Sequence, residues 1–287
     1  MAAPGEDARQ PRRVDAAPVA PPAATAAQLA PRQLSASAYE DLRKCPYRFF
    51  ALRQLGLQEP DEIDVDLGKR DFGNWLHRVL SAFHARLAED GGVDERLRGR
   101  LLDQAAQAVM REMRLDEGEF LPFRAAWNQA REGYLAWLAR HEEMEGASFQ
   151  EAEVEHERTV AGARLFGRID RIDRLRDGTR MVMDYKTEGL PTTQERVKRP
   201  GEDTQLAFYA ALLGDGALRA AYVNIGERGE TRTVEQEDVA LAREMLLAGI
   251  AQDFERIAAG APLPALGEGM ACEYCAARGL CRKDSWS

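Results

Sequence analysis

The chain has 287 residues, of which 45% are hydrophobic and 30% are charged, and its formal net charge is −9. This composition is ordinary for a globular protein. No apolar run approaches the roughly 20 residues of a membrane span, and the N-terminus lacks the apolar core of a signal peptide. We therefore predict a cytoplasmic protein with no membrane partner. The acidic balance disfavours charge-driven binding to nucleic acid over the whole surface, although 39 Lys and Arg residues could form local basic patches.

Residues 1–33 are rich in alanine and proline, with scattered charges. Such a segment lacks the apolar side chains to form a core, so we predict a disordered tail or linker there and one folded domain over 34–287. A linker in this position suggests that the chain is the C-terminal piece of a longer enzyme.

Four cysteines lie at the two ends of the predicted domain. A capping box at Ser37 and Glu40 predicts a helix, and Cys45 follows in the sequence CPYRFF. Three more cysteines form a C-x2-C-x5-C pattern near the C-terminus: Cys272, Cys275 and Cys281. Disulfides are disfavoured in a reducing compartment, so these thiols predict a metal or cluster site that joins the two ends. Their spacing leaves structural zinc and a [4Fe–4S] cluster equally open.

Three helices are predicted between the cysteine motifs. The segment 68–87 has the apolar periodicity of an amphipathic helix. His77 and His84 lie at the border of its apolar stripe, a position that more often holds a structural histidine. Residues 93 to about 145 predict two further helices, separated near 118–122.

The stretch 164–186 contains two alternating strands around an Asp-Gly pair, which is typical of a β-hairpin turn. A three-residue loop over 176–178, with Gly178 in the left-handed conformation, places Asp170 opposite Asp184 and on the same face. A two-residue loop would place these carboxylates on different faces. The register therefore decides whether the hairpin carries a site.

Two carboxylates on adjacent strands repel each other unless a cation lies between them. Mg²⁺ prefers oxygen ligands and retains several waters, so Asp170, Asp184 and one backbone carbonyl suffice to hold it against a phosphate. Such a metal lowers the pKa of a bound water and neutralises charge at the phosphate. Lys186 shares the strand face of Asp184. On these residues alone, a solvated hairpin face stays open as the alternative.

The chain after the hairpin completes an α/β pattern. A helix carries Gln205 and Tyr209 one turn apart on one face. Strands near 219–226 and 230–235 and a helix over 238–259 follow. Strand, hairpin, helix and strand in this order, around a helical bulk, predict an α/β domain.

Several separated signatures occur in the order found in one family: CPYRFF, GNWLHRVL, GRIDRID with DYK, QLAFY and the terminal C-x2-C-x5-C. From residue 34 onwards the chain resembles the nuclease domain of AddB-type helicase–nuclease subunits, in the RecB-like branch of the PD-(D/E)XK nuclease superfamily, with a four-cysteine iron–sulfur staple. The resemblance implies a restriction-endonuclease-like core, in which helices flank a mixed central sheet, with a helical insertion.

The resemblance also implies roles for individual residues. The implied metal ligands are two carboxylates, a histidine and a backbone carbonyl: Asp170, Asp184, His77 and the carbonyl of Tyr185. Lys186 is implied to orient or activate the attacking water. The glutamine and tyrosine of the Q-xxx-Y motif lie beside the active site in this family and contact substrate; here they are Gln205 and Tyr209.

The implied cofactors are Mg²⁺ (or Mn²⁺) and a [4Fe–4S] cluster bound by Cys45, Cys272, Cys275 and Cys281. The implied activity is exonucleolytic hydrolysis of DNA phosphodiester bonds, at single-stranded or duplex ends, in end processing and recombinational repair. The sequence contains no GxxxxGK[ST] phosphate loop. ATP-driven unwinding would therefore come from a helicase partner of the AddA or RecB type, and a free-standing role on single-stranded ends is the alternative.

Two other functions stay open at this point. A four-cysteine nuclease of CRISPR adaptation shares the core and the cluster but is usually shorter. A cluster-stapled DNA-binding scaffold with an inert site is disfavoured because the chain retains Asp170, Asp184 and Lys186 together.

Overall fold

The computed structural model describes residues 19–58, 68–90, 94–115, 117–214, 216, 218–226 and 228–286. The strands are β1 Ala23–Thr25, β2 Gln33–Leu34, β3 Ser148–Glu151, β4 Val154–Val160, β5 Ala163–Ile169, β6 Arg171–Arg174, β7 Arg180–Lys186, β8 Leu218–Ile225, β9 Thr231–Glu235 and β10 Pro262–Pro264. The helices are α1 Ala36–Lys44, α2 Pro46–Phe49, α3 Lys69–Asp90, α4 Glu95–Glu112, α5 Glu117–Glu145, α6 Leu190–Lys198, α7 Gln205–Leu212, α8 Val239–Ala258 and α9 Arg278–Cys281.

A mixed five-stranded sheet in the order β3-β6-β7-β8-β9 forms the centre of the fold. Strands β7 and β8 run parallel, and the other neighbouring strands run antiparallel. A parallel pair requires a crossover connection, which here contains α6 and α7. Helices cover both faces of the mixed sheet, which confirms the predicted α/β class.

Two hydrophobic cores lie on the two faces of this sheet. Val182 and Tyr222 pack with residues of α7 and α8 on one face, whereas Met183 and Tyr185 pack with α3, α4 and α5 on the other. Residues 181–185 of β7 are all buried because a central strand sends alternate side chains into both cores. The predicted site residues of β7 therefore belong to a strand that is covered on both faces.

Of the two hairpin loops that the sequence leaves open, the structure has the three-residue loop. Leu175 N donates to Thr179 O over 2.8 Å, and Gly178 takes the left-handed conformation with a φ of +85°. The pairing of β6 with β7 ends at Arg171 and Met183, so the next residues in this register are Asp170 and Asp184.

The prediction of one continuous strand before this loop is wrong. The chain bends at Asp170, so β5 joins a three-stranded sheet in the order β2-β5-β4, whereas β6 joins the central sheet. The bend is stabilised by a side chain, since the Asp170 carboxylate accepts a hydrogen bond from the backbone N of Tyr185 in β7. Asp170 therefore lies at the junction of two sheets.

The helical insertion follows the prediction except at one boundary. Helix α3 confirms the amphipathic helix, and α4 and α5 confirm the two that follow. The predicted break at 118–122 is wrong: α4 ends at Glu112, Arg114 has a left-handed φ of +55°, and α5 already begins at Glu117. Pro122 thus falls in the second turn of α5, where it removes one helical donor. Among the described helices, none is long and apolar enough to cross a membrane.

The prediction of disorder over 1–33 is wrong for residues 19–33. Strand β1 pairs with β10, the backbone of Val19 bridges to Trp286, and β2 pairs with β5. A segment rich in alanine and proline cannot form its own core, but backbone hydrogen bonds to other strands hold it in place. Residues 1–18 lie outside the described residues.

Candidate functional site

The two predicted carboxylates, Asp170 and Asp184, are buried, with exposed fractions of 6% and 2%. Oδ2 of Asp170 accepts a hydrogen bond of 2.8 Å from the backbone N of Tyr185. Burial and the negative charge of Asp170 raise the pKa of Asp184 to about 6. Two neighbouring buried carboxylates are unfavourable unless a proton or a cation shares their site.

His77 reaches this pair from helix α3. Its Nδ1 atom lies 3.1 Å from Oδ2 of Asp170, and its Nε2 atom lies 3.0 Å from the backbone O of Tyr185. Burial alone would lower the pKa of His77, but the charge of Asp170 and the contact with it raise that pKa to about 9. The structure therefore places this border histidine against the carboxylates.

Glu153 is a candidate ligand that the sequence analysis missed. One ligand atom each of His77, Glu153 and Asp170 lie within 4.8 Å of one another. Glu153 follows β3 with a left-handed φ of +55°, and its backbone N donates to the carbonyl oxygens of Ile169 (2.9 Å) and Asp170 (3.3 Å). Burial and the charge of Asp170 raise the pKa of Glu153.

The neighbouring glutamates explain why Glu153 was missed. Glutamate occupies every second position from 151 to 157, so spacing singles out none of them. Glu155 and Glu157 are exposed and flank Arg164, which donates to Glu157 over 2.8 Å. Among these four glutamates, only Glu153 has the left-handed turn conformation and lies close to Asp170. A residue type that is typical of turns, placed just before β4, would have indicated this position from the sequence.

Lys186 and the predicted Q-xxx-Y pair surround Asp184. Nζ of Lys186 lies 2.7 Å from Oδ2 of Asp184 and donates to Oε1 of Gln205 over 2.8 Å. Nε2 of Gln205 donates to Oδ1 of Asp184 over 2.6 Å and to the hydroxyl of Tyr209 over 3.1 Å. The hydroxyl of Tyr209 is 3.5 Å from Oδ1 of Asp184. Gln205 therefore connects the carboxylate, the lysine and the tyrosine.

The Lys186 ammonium also lies 5.0 Å above the centre of the Tyr222 ring, in a cation–π contact. The Tyr222 hydroxyl donates to Asp203 over 2.5 Å. This contact supports the lysine from the strand next to its own, because β7 and β8 pair Lys186 with Asn224 and Asp184 with Tyr222.

The four cysteines meet where the two ends of the described chain come together. They line one small cavity, and all are free thiols: Cys45, Cys272, Cys275 and Cys281. Cys45 separates α1 from α2, whereas the other three follow β10. The folded chain thus brings together cysteines that are more than 200 residues apart in sequence.

Two arginines border the cysteine cavity. Arg48 of the CPYRFF motif donates to the backbone O of Ala271 over 3.2 Å, and Arg278 donates to the backbone O of Cys272 over 3.0 Å. Burial raises the pKa of Cys275, whereas the charge of Arg48 acts in the opposite direction and lowers it. Cations beside several thiols favour the thiolate form, which is the form that binds a metal.

Comparison with known proteins identifies the family. A model of the PD-(D/E)XK nuclease superfamily matches residues 33–282. The chain is 29% identical over 161 residues, 55% of its length, to an ATP-dependent helicase/deoxyribonuclease subunit of Streptococcus agalactiae. It is 27% identical over 203 residues, 69% of its length, to the protein of the same name from Streptococcus equi subsp. zooepidemicus. It spans only 14% and 18% of the length of these relatives.

A crystal structure from Eubacterium rectale aligns with 85% of this chain and 88% of its own, at 15% identity and a TM-score of 0.46, a likeness too low to carry an argument. The superfamily match, by contrast, covers most of the chain and includes the carboxylates, His77 and Lys186. This chain therefore belongs to the PD-(D/E)XK nuclease superfamily.

Proposed function

We propose that this protein is a metal-dependent deoxyribonuclease that acts as an exonuclease on single-stranded or duplex DNA ends. The proposal depends on one observation, the convergence of a histidine, two carboxylates and a lysine at one buried site. These groups come from α3, the junction of β5 and β6, and β7: His77, Asp170, Asp184 and Lys186.

The donor atoms at the site suit a hard divalent cation such as Mg²⁺ or Mn²⁺. Oδ2 of Asp184 is buried and accepts no hydrogen bond of normal geometry from the described residues, although Nζ of Lys186 lies nearby. The proposed ligands are His77, Asp170, Asp184 and the backbone carbonyl of Tyr185, with Glu153 as an additional carboxylate.

A divalent cation bound here would lower the pKa of a coordinated water and neutralise charge on the scissile phosphate. The Lys186 side chain is 18% exposed, and its ammonium is proposed to orient the attacking water. Gln205 fixes Lys186 relative to Asp184, because a carboxamide oxygen accepts from the ammonium while its NH₂ group donates to the carboxylate. Tyr209 is the second residue of this pair and is proposed to contact substrate.

A [4Fe–4S] cluster is proposed to close the folded domain, held by Cys45, Cys272, Cys275 and Cys281. The support is that these four free thiols line one cavity, and that four cysteines are the usual ligand set of such a cluster. Four cysteines are also a standard ligand set for structural zinc, so the metal content decides between the two.

The proposed context is cytoplasmic DNA end processing and recombinational repair, with a helicase of the AddA or RecB type as partner. The support is the alignment with the two streptococcal relatives, whose name describes an ATP-dependent helicase/deoxyribonuclease and of which this chain spans a small part. The chain's sequence has no phosphate loop for ATP, so a motor would have to be supplied by another chain or segment.

Cleavage of end-labelled DNA by anaerobically purified protein tests the nuclease. We expect release of label from linear single- and double-stranded DNA with Mg²⁺ or Mn²⁺, none with EDTA, and none with Asp184→Asn. Covalently closed circular DNA should survive. A protein that binds DNA but shows no metal-dependent cleavage would overturn the enzyme and leave the DNA-binding scaffold.

Iron and acid-labile sulfide in the same sample test the cluster. About four of each per chain are expected for a [4Fe–4S] cluster, and Cys272→Ser should lose both and lower the unfolding temperature. One zinc ion per chain without sulfide would show that the cysteines form a zinc site instead.

A further inference from the structure

The residues that follow the two carboxylates meet on the opposite face of the central sheet. Arg171 follows Asp170, and Tyr185 follows Asp184, so strand alternation directs both away from the carboxylates. The hydroxyl of Tyr134 in α5 receives them: it lies 2.9 Å from the hydroxyl of Tyr185 and accepts from Nη1 of Arg171 over 3.0 Å. The hydroxyl oxygen of Tyr134 thus contacts both β6, which follows Asp170, and β7, which contains Asp184.

A third partner comes from helix α3, which also carries His77. Nε2 of His84 lies 2.6 Å from the hydroxyl of Tyr134 and 2.7 Å from Nη1 of Arg171. A guanidinium only donates, so Nε2 accepts and neutral His84 carries its proton on Nδ1. The Tyr134 hydroxyl therefore joins α3, α5, β6 and β7, which include the elements that supply His77 and Asp184.

The far side of this network is fixed by further buried contacts. Arg171 makes two hydrogen bonds of 2.8 Å to the carboxylate of Asp173, which also lies 3.0 Å from Nε2 of His141. The guanidinium lies between the rings of Trp137 and Phe149, at 5.7 and 5.8 Å from their centres. Arg171 and Asp173 are 1% and 0% exposed, so neither can exchange a lost partner for water.

Tyr185 connects the network to the metal site through its ring and its peptide group. Its ring meets the His77 ring edge to face, with centres 5.8 Å apart and an interplanar angle of 82°. Its backbone N donates to Asp170, and its backbone O lies 3.0 Å from His77. A rotation of the Tyr185 ring would therefore disturb the His77 ring directly, and a shift of the whole residue would also disturb Asp170 and the proposed carbonyl ligand.

We propose that Tyr134 is a positioning residue for the metal site, and that its hydroxyl sets metal affinity by fixing Tyr185. The proposal rests on the proposed function, because it concerns the same metal site. Tyr134 is 1% exposed and lies on the face opposite the carboxylates, so it acts through Tyr185 and touches neither metal nor substrate.

Tyr134→Phe removes the hydroxyl and keeps the ring. Contacts that orient a ligand typically change metal affinity or activity by 10- to 100-fold. We therefore expect Mn²⁺ binding, followed by the electron paramagnetic resonance signal of the free ion, to weaken about tenfold in Tyr134→Phe. The Mg²⁺ concentration that gives half-maximal cleavage should rise by a similar factor.

Two control variants separate positioning from loss of stability. Tyr39→Phe makes the same change at a tyrosine that is 3% exposed in the other core, and it should bind Mn²⁺ like the wild type. Val109→Ala in α4 removes buried methyl groups at a residue 3% exposed and supplies a destabilised fold with an intact network. If Val109→Ala weakened Mn²⁺ binding as much as Tyr134→Phe at an equal loss of unfolding temperature, the positioning role would be refuted.

A double-mutant cycle with Tyr185→Phe tests the connection itself. Tyr185→Phe removes the hydroxyl of Tyr185, which is the partner of Tyr134 in this hydrogen bond, and keeps the backbone carbonyl. If Tyr134→Phe does not fold, Mn²⁺ binding by Tyr185→Phe tests the proposal instead. The double variant should bind Mn²⁺ no more weakly than the weaker single variant, because each change already breaks the hydrogen bond between Tyr134 and Tyr185. Multiplicative losses would mean that the two hydroxyls act separately and would overturn the proposal.

Asp184→Asn distinguishes a failure of this inference from a failure of the proposed function. If Asp184→Asn weakens Mn²⁺ binding and Tyr134→Phe does not, the metal site stands and the positioning role is wrong. If Asp184→Asn binds Mn²⁺ like the wild type, the proposed metal site is wrong and the positioning role fails with it.

Discussion

The Nε2 atom of His77 lies 3.0 Å from the backbone carbonyl oxygen of Tyr185, which connects helix α3 to strand β7 across 108 residues of sequence. The other ring nitrogen lies 3.1 Å from the carboxylate of Asp170. A ring that is held at both nitrogens cannot turn without losing one contact. The imidazole is therefore oriented before any metal binds.

His77→Asn should weaken metal-supported cleavage because the shorter side chain cannot make both contacts. We expect the activity at limiting Mg²⁺ to fall by roughly 10- to 100-fold, with a higher Mg²⁺ requirement. His156→Asn is the matched control, since His156 lies in β4, is partly exposed and contacts Glu151 over 3.2 Å. An unchanged Mg²⁺ requirement in His77→Asn would rule out this histidine as a ligand.

Glu153→Gln should have opposite effects on the metal-free and metal-bound protein. Burial and the charge of Asp170 raise the pKa of Glu153, so loss of its charge removes the cost of burial and the repulsion without metal, but removes a ligand with metal. We expect an unfolding temperature that is unchanged or higher in EDTA and lower than wild type in Mg²⁺. Glu155→Gln, on the exposed strand face, should alter neither; a Glu153→Gln variant that matches it would contradict the assignment.

Gln205→Met should reduce the rate of cleavage more than it reduces stability. Methionine keeps the length but loses the hydrogen bonds to Asp184 and Lys186, which still contact each other at 2.7 Å. We expect single-turnover cleavage to slow by about 10- to 100-fold. Tyr209→Phe should lose more activity than its contact with Asp184 explains, because 3.5 Å is a weak hydrogen bond and Tyr209 is proposed to contact substrate. Activity within about threefold of wild type would contradict that contact.

His84 should make the metal-free protein less stable as the pH falls from 7 to 5. Burial and the charge of Arg171 hold the pKa of His84 well below its usual value. Between that low pKa and about 6.5, the unfolded chain binds a proton that the folded chain does not, so stability is full above about 6.5 and declines below it. We expect this group to lower the free energy of unfolding progressively between pH 7 and pH 5.

Urea unfolding of His84→Gln in EDTA checks this pH dependence. The variant should be less stable than wild type at pH 7, and this difference should shrink at pH 5. Asp184, whose pKa is raised to about 6, and His77, whose pKa is raised to about 9, stabilise the folded chain as the pH falls, but both are present in variant and wild type. Asp173 does not interfere, because Arg171 and His141 hold its pKa below its ordinary value against the effect of burial, so its contribution declines only below about pH 4. An identical pH slope in His84→Gln and wild type would show that His84 is not the titrating group.

Much of the central hairpin could be predicted from the sequence. The Asp-Gly pair and the alternation of the strands predict the hairpin and restrict its loop to two or three residues, because turn chemistry and strand period are properties of neighbouring residues. The folded chain has the three-residue loop, whose register places Asp170 opposite Asp184. The apolar period of α3 is equally local. These parts of the fold needed no knowledge of distant segments.

Other parts were decided only by the tertiary structure. The bend at Asp170 and the place of Glu153 depend on two sheets that meet at one junction. The pairing of β1 with β10 depends on a strand more than 200 residues away.

His77 and His84 show the physical reason most directly. They lie seven residues apart at the same border of α3, and helical periodicity alone predicts the same structural role for both, whereas the family resemblance implies a metal ligand at His77. In the folded chain His77 contacts Asp170, whereas His84 contacts Tyr134 and Arg171 inside the core. Helical periodicity determines which side of a helix a residue occupies, but the helices and strands that pack against each turn determine which groups it meets.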